Sequence, residues 1–201
     1  MGAIVALKAN DRVYLATDRM KQRMDFYWRT NAEFNFKIHK LKGDILIGAH
    51  GPLLETQRLY LNESWFVPPK GVPFDKKFIV KSIIPKYVDF LLEYNLIKGT
   101  DEDDEDKYPH IDSEFIVVKG NDAFVIDSDF GVLSVKDLAF VSKSEDRGFF
   151  DKLIYSLDKS DPEGFFTEFF AKSADHLGDA VAEYVVIDTK DMEFRLLGGT
   201  K

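Results

Sequence analysis

MGAIVALKANDRVYLATD, residues 1–18, opens the stretch that decides the fold. Two apolar runs, at residues 4–8 and 12–17, are joined by a polar turn of hairpin length, whose Asn and Asp tolerate positive φ. Short apolar runs bounded by turn residues are typical of buried strands. We therefore predict a β-hairpin that begins within a few residues of Met1.

A second hairpin is predicted in residues 34–49. Residues 34–38 alternate between polar and apolar types, and residues 44–49 form an apolar run after the turn Lys42-Gly43. Pro52 then opens a helical pattern, because proline is well placed in the first turn of a helix. The chain is therefore expected to run from strand through Gly51 into helix.

The rest of the chain alternates blocks of helices and strands. Helices are predicted at residues 75–97, where Pro85 should start or kink the second half, at 145–157 and at 161–174, the last with Asp161 as N-cap. Strands are predicted at residues 114–119, 123–127, 130–135, 138–142, 181–188 and 193–197. This order predicts an α+β fold in four layers, an αββα sandwich of two antiparallel sheets between layers of helices.

The length and one charged block define the expected domain organisation. At 201 residues the chain is predicted to form a single domain, residues 1–201, that buries about 70% of its unfolded surface. The block DEDDED at residues 101–106 predicts a loop insertion at roughly residues 99–110. Because consecutive carboxylates repel one another, a solvated loop is favoured over a calcium site or a site for a basic partner.

Composition excludes several classes of function. The net charge of -8 argues against nucleic acid as a partner, because that affinity rests on clustered Lys and Arg. The absence of cysteine excludes disulfides and thiolate chemistry, and the cytosol is the default compartment. No apolar run reaches the roughly 18 residues of a membrane span, so no membrane association is expected. The four histidines lack the i, i+4 spacing of a helical metal pair, and neither a metal nor a cofactor is predicted.

The order of these motifs resembles the proteasome β-subunit and HslV group of N-terminal-nucleophile hydrolases, over nearly the whole chain. Members start with Thr-Thr-(Ile/Thr)-Val, run through a hairpin to Ala-Asp or Gly-Asp, and later carry Lys-Ile or Lys-Leu before a strand that ends in Gly. Here GAIV occupies the start, which puts Gly2 at the position of the nucleophile. Asp18, Lys37 and Gly51 match the aspartate, the lysine and the glycine of the oxyanion hole.

Two further motifs extend the resemblance into the second half of the chain. AFVSKS, residues 139–144, is similar to the family's Ala-Ile-Gly-Ser-Gly-Ser and puts Ser142 at the supporting serine. DHLGD, residues 175–179, resembles Asp-Ala-Tyr-Ser-Gly, so that Asp175 matches the family's supporting aspartate while Gly178 replaces a serine. Without the resemblance, Asp18 beside Arg19 reads as an ordinary charge pair and Lys37 as a solvent-facing residue.

The resemblance implies threonine-peptidase chemistry. A terminal Thr hydroxyl attacks a peptide carbonyl, and its own amine or a bound water takes the proton. Asp18 would hold Lys37 as an ion pair, and Ser142 and Asp175 would order the amine. The Gly51 N–H would stabilise the oxyanion and would thereby lower the activation barrier by about 3 kcal/mol. The resemblance also implies a peptide or unfolded-protein substrate, self-assembly into a homo-oligomer or ring, and an ATPase as regulatory partner.

The nucleophile itself is missing. Gly2 occupies its position, or Ala3 if the first turn is one residue shorter, and neither side chain can attack a carbonyl. The expected function is therefore a peptidase-type subunit that is inactive as written, with Gly2 either natural, engineered or introduced in cloning. Two alternatives stay open: a natural non-catalytic subunit that builds a ring, and an amidase of the same fold with a pocket formed by Thr17, His50 and the 21–33 loop.

Overall fold

The computed structural model describes residues 3–18, 37–99, 108–142, 147–177 and 183–198. The strands within these ranges are β1 (Ala3–Ala9), β2 (Arg12–Asp18), β3 (Ile38–Leu41), β4 (Ile45–His50), β5 (Glu114–Lys119), β6 (Asp122–Ile126), β7 (Val132–Ser134), β8 (Leu138–Ser142), β9 (Glu183–Asp188) and β10 (Phe194–Gly198). The helices are α1 (Leu53–Leu61), α2 (Lys76–Phe78), α3 (Ile84–Glu93), α4 (Arg147–Ser156) and α5 (Pro162–Leu177), with a 3₁₀ turn at Glu63–Trp65 and a π-helical turn at Ile79–Ile83.

The strands form two five-stranded sheets. The first has the order β10-β9-β2-β1-β8 and the second the order β3-β4-β5-β6-β7, and every pairing is antiparallel. Helices cover the outer face of each sheet, as the two outer hydrophobic clusters below show. The predicted α+β sandwich of two antiparallel sheets between helix layers is confirmed.

Turn chemistry sets the first hairpin. Asn10 and Asp11 have φ of 53° and 57°. Two successive left-handed residues give a two-residue turn whose twist matches that of the strands it joins. The register then runs from Ala9 opposite Arg12 to Ile4 opposite Thr17. The predicted β-hairpin at the start of the chain is confirmed.

Three buried clusters fill the spaces between the four layers, because successive side chains of a strand point to opposite faces of its sheet. Ala3, Val5 and Leu7 face α4 and α5, where they meet a group of phenylalanines: Phe150, Phe165, Phe166, Phe169 and Phe170. Ile4 and Ala6 face the second sheet and meet Leu46, Ile116 and Val118. The third cluster joins the second sheet to α1, α2 and α3 through residues such as Ile45, Ile47, Leu59, Phe78 and Leu91.

The predicted helix at residues 75–97 is confirmed in its first part, but its predicted end is wrong. Asp75 caps its start by accepting a hydrogen bond from the Phe78 N–H at 2.7 Å. A π-helical turn ends at Ile83, two residues before Pro85, which has no N–H to donate, and so the predicted irregularity near this proline is present. The helix stops at Glu93 because Asn95 takes the left-handed conformation, with φ of 52°.

Several predicted segments lie outside the described residues: the acidic block at 101–106, residues 34–36 of the predicted third strand, and the first two residues of the helix at 145–157. The backbone groups of Lys98 and His110, on either side of the acidic segment, exchange two hydrogen bonds of 2.9 and 3.0 Å. In the part of the chain that the structure describes, no helix is long and apolar enough to cross a membrane.

Gly48 lies where β4 of the second sheet packs closely against β1 and β2 of the first. A methyl group on Gly48 would lie 2.8 Å from Ile4 Cγ2 and 3.0 Å from Leu15 Cδ2, closer than packed side-chain atoms come. Glycine on β4 therefore allows β4 to pack against the β1–β2 hairpin. The site described below depends on this spacing, because its residues come from both sheets.

We expect Gly48→Ala to lower the free energy of unfolding by about 1–3 kcal/mol, since the added methyl group overpacks the core between the sheets. Urea denaturation followed by circular dichroism measures the change. Gly148→Ala is the matched control, because nothing lies within 4 Å of the added methyl group. In a helix, replacing glycine with alanine raises the free energy of unfolding by up to about 1 kcal/mol. Equal effects of the two substitutions would contradict this account of Gly48.

Candidate active site

The site lies where strands of both sheets end. β1 begins at Ala3, whose neighbour across the β1–β8 pairing is Ser142, the last residue of β8. β2 ends at Asp18. In the second sheet, Lys37 directly precedes β3 and Gly51 directly follows β4. Antiparallel pairing thus places Ser142 and Asp18 on either side of Ala3 in the first sheet, and it places Lys37 and Gly51 at the ends of two neighbouring strands in the second.

Asp18 and Lys37 form an ion pair between the two sheets. The Lys37 Nζ lies 2.8 Å from Asp18 Oδ1 and 3.0 Å from Asp18 Oδ2. The Asp18 side chain is 1% exposed and the Lys37 side chain 20% exposed, so the carboxylate is buried while the ammonium group keeps limited access to solvent. The predicted ion pair is present, and its role in catalysis stays a prediction.

The end of β2 also holds the start of β1. The Ala3 N–H donates to Asp18 Oδ1 at 2.6 Å, and the Thr17 hydroxyl donates to the Ala3 carbonyl oxygen at 2.9 Å. The Ala3 N–H belongs to the peptide bond that joins it to Gly2, which itself lies outside the described residues. Both backbone polar groups of Ala3 are therefore bound next to the expected nucleophile position.

Thr17 does not line a pocket as expected for the amidase alternative. Its side chain is 1% exposed, and its hydroxyl is directed at backbone carbonyl oxygens of Ala3 and Asp18. His50 is half-buried at the end of β4, opposite Glu114 of β5. The 21–33 loop, the third part of that expected pocket, lies outside the described residues.

Gly51 has a conformation and surroundings that require glycine. Its φ is 146°, a region that residues with a side chain rarely adopt. A methyl group on Gly51 would collide with Ser113 Oγ and would lie 2.6 Å from Ser113 Cα. The residue is exposed, so its backbone is open to solvent at the junction of β4 and α1.

A buried polar pair behind Gly51 was missed in the sequence. The Ser113 hydroxyl donates to Glu55 Oε2 at 2.5 Å, and both side chains are buried, with exposures of 0% and 4%. The Tyr87 hydroxyl donates to the Glu55 backbone oxygen at 3.3 Å, and burial, together with the nearby charge of Glu55, raises the pKa of Tyr87 above its usual value. Glu55 reads in the sequence as an ordinary polar position of an amphipathic helix.

Asp175 is not joined to the other site residues. It lies exposed in the last turn of α5, and the structure records no hydrogen bond from it to the other described residues. Its assigned neighbour Gly178 lies outside the described ranges. Ser142, by contrast, is buried beside Ala3, with 6% exposure.

A groove of about 630 Å³ lies along β8 and is bordered by β7 and α4. Ser142 lies among its lining residues, but Asp18, Lys37 and Gly51 do not. The groove therefore meets the site at its edge. Among the described residues, no group of three or more His, Asp or Glu side chains could hold a metal ion.

We expect the Asp18–Lys37 pair to stabilise the fold across the sheets. In a double-mutant cycle of Asp18→Asn and Lys37→Met, followed by urea denaturation, the coupling energy should be about 1–3 kcal/mol because Asp18 is buried. Lys98 and Asp112 form a more exposed ion pair that serves as the control, and we expect its coupling energy to be less than about 1 kcal/mol. A coupling energy for Asp18 and Lys37 no larger than that of the exposed pair would contradict the assignment.

Comparison with known proteins gives matches in structure alone. No family model matches the chain. No curated protein matches it either.

Among solved structures, Thiobacillus denitrificans BPH matches with a TM-score of 0.60 at 12% identity, over 92% of this chain and 96% of that one. Anbu (ancestral beta-subunit) from Yersinia bercovieri matches with a TM-score of 0.60 at 13% identity, over 98% and 87% of the two chains. HslV from Trypanosoma brucei matches with a TM-score of 0.53 at 15% identity, over 92% and 98%. The chain therefore shares the fold of HslV and of Anbu, with two antiparallel sheets between layers of helices.

Proposed function

We propose that this chain is a proteasome-β-like subunit of the threonine-peptidase type, which does not hydrolyse peptide bonds as it stands because Gly2 replaces the nucleophile. The observation that carries the proposal is the shared use of Asp18: one buried carboxylate binds both the Lys37 ammonium group and the Ala3 N–H. The likeness in fold to HslV and to Anbu supports it.

The geometry suits activation of a hydroxyl on residue 2. A positive charge lowers the proton affinity of nearby groups, and Asp18 holds the Lys37 charge at the amino-terminal end of β1. Ala3 is held through both its N–H and its carbonyl oxygen, so a residue bonded to it starts from a fixed point. Gly51, exposed at the end of β4, would supply the N–H that stabilises the oxyanion.

Glycine at position 2 removes the attacking atom and leaves this frame in place. A structural subunit of a ring is the second candidate, and the glycine at this position favours it. The two candidates differ in one respect that can be measured: whether the frame becomes catalytic when a hydroxyl is restored.

We expect Gly2→Thr, with Met1 removed so that the introduced threonine is the terminal residue, to produce hydrolysis of fluorogenic peptide amides. The rate should rise at least about a thousandfold over the unchanged chain, because loss of a nucleophile costs a hydrolase about a millionfold in kcat. Epoxomicin, the compound held in a structure of Thiobacillus denitrificans BPH, should inhibit this activity.

Two controls accompany this experiment. Gly2→Ala with the same terminus should stay inactive, and Lys37→Met in the Gly2→Thr background should abolish the gained activity. If the Gly2→Thr variant assembles and keeps its fold but shows no hydrolysis, the catalytic proposal is wrong and the structural subunit remains.

We further propose that the chain self-assembles into a homo-oligomer or ring that acts on peptide or unfolded-protein substrates with an ATPase partner. Support for assembly comes from apolar side chains exposed where α1 and α3 end: Leu61 is 74% exposed, Leu92 53% and Tyr94 45%. The Arg58 guanidinium lies 5.3 Å from the centre of the Tyr94 ring, which places the two helix ends side by side. Neighbouring exposed apolar groups of this kind are typical of protein interfaces.

Mass photometry should therefore show an oligomer, and Leu61→Asp combined with Leu92→Asp should shift it toward the monomer, since charged groups oppose burial at an interface. Circular dichroism of the variant checks that the fold is kept. A chain that is monomeric at all concentrations would count against both candidate functions.

A further inference from the structure

Glu55 and Ser113 have no part in the chemistry described so far, yet they lie directly behind Gly51. Ser113 precedes β5, Glu55 lies in the first turn of α1, and Gly51 connects β4 to that helix. A buried carboxylate and a buried hydroxyl joined at 2.5 Å fasten the two segments together. A bond of this type at a buried site restricts both partners, because breaking it would leave a polar group without water.

Ser113 touches the α-carbon of Gly51. A methyl group on Gly51 would lie 2.6 Å from both Ser113 Cα and Ser113 Cβ, so the contact involves the backbone of Ser113 as well as its side chain. The backbone of Gly51 has φ of 146°, a conformation that glycine leaves easily because it has no side chain to restrict it. The orientation of the Gly51 peptide therefore depends on where Ser113 is held.

The local sequence explains why the partner of Ser113 is a carboxylate. Glu55 is the third residue of α1, where a side-chain carboxylate usually accepts from the N–H of the N-cap residue. The N-cap here is Pro52, which has no N–H to donate. The Ser113 hydroxyl supplies a donor instead, and the amino-terminal end of the helix favours the negative charge.

We infer that Glu55 and Ser113 are positioning residues, which hold the Gly51 N–H in the orientation that binds the oxyanion. The inference rests on the proposed function, since it gives Gly51 its catalytic role. An oxyanion forms only in the transition state, so a displaced Gly51 N–H lowers kcat and leaves KM nearly unchanged.

The test uses the Gly2→Thr chain. Ser113→Ala should lower kcat by about tenfold to a hundredfold, as expected for a small displacement of a catalytic group, with KM within about twofold. Glu55→Ala should act in the same way. Glu55→Gln should retain most of the activity, because the amide oxygen still accepts the hydrogen bond from Ser113.

Ser173→Ala is the matched control. Ser173 is also fully buried, and its hydroxyl donates at 2.7 Å to the Phe169 carbonyl oxygen within α5, away from Gly51. This variant should lose stability without a change in kcat. Equal kcat values for Ser113→Ala and its Gly2→Thr parent, or equal losses in the two serine variants, would overturn the inference while the peptidase proposal stands.

A second measurement tests the inference without enzymatic activity. It is needed if the Gly2→Thr chain proves inactive, because that result contradicts the proposed function and leaves the positioning of Gly51 to be tested separately. In the unchanged chain, glycine-selective ¹⁵N labelling gives an amide signal for Gly51 among the 13 glycines. Ser113→Ala and Glu55→Ala should shift the Gly51 signal, and Ser173→Ala should not. An unshifted Gly51 signal in the folded Ser113→Ala chain shows that the pair does not position this peptide, and it overturns the inference.

Discussion

The buried carboxylate of Asp18 is the interaction on which the site depends. It accepts hydrogen bonds from the Lys37 ammonium group, which comes from the second sheet, and from the Ala3 N–H, which starts the first strand. A buried carboxylate is stable only when its desolvation is offset by charged or hydrogen-bonded partners. Here the two partners that satisfy this requirement also bring the two sheets and the amino-terminal strand to one place.

Two glycines on one stretch allow the close approaches around this site. Gly48 allows β4 to approach Ile4 and Leu15, and Gly51 allows the chain to turn against Ser113 before α1. A side chain at either position would collide with atoms already packed there, so both positions are constrained by tertiary contacts. The buried pair of Glu55 and Ser113 secures the second of these close approaches from behind.

Local chemistry made much of the fold predictable. The first hairpin follows from two apolar runs and from the left-handed Asn10 and Asp11 between them, and the irregular helix before Pro85 follows from the missing N–H of proline. The predicted helix end was wrong because Asn95 reads as an ordinary polar residue until its backbone conformation is known. Asp175 was assigned from a resemblance in sequence, and its role in the site stays a prediction: it lies exposed on α5, and Gly2, whose amine it would order, lies outside the described residues.

The sequence by itself determined the fold class and the order of the strands and helices, and it places a glycine at position 2. These properties depend on side-chain type, on periodicity and on turn residues, which act over a few neighbouring positions. The tertiary structure alone decided that Asp18 serves two partners, that Thr17 is bound to backbone oxygens, and that Glu55 meets Ser113. Glu55 and Ser113 are separated by 58 positions along the chain, and only the packing of α1 against the segment before β5 brings them within hydrogen-bonding distance.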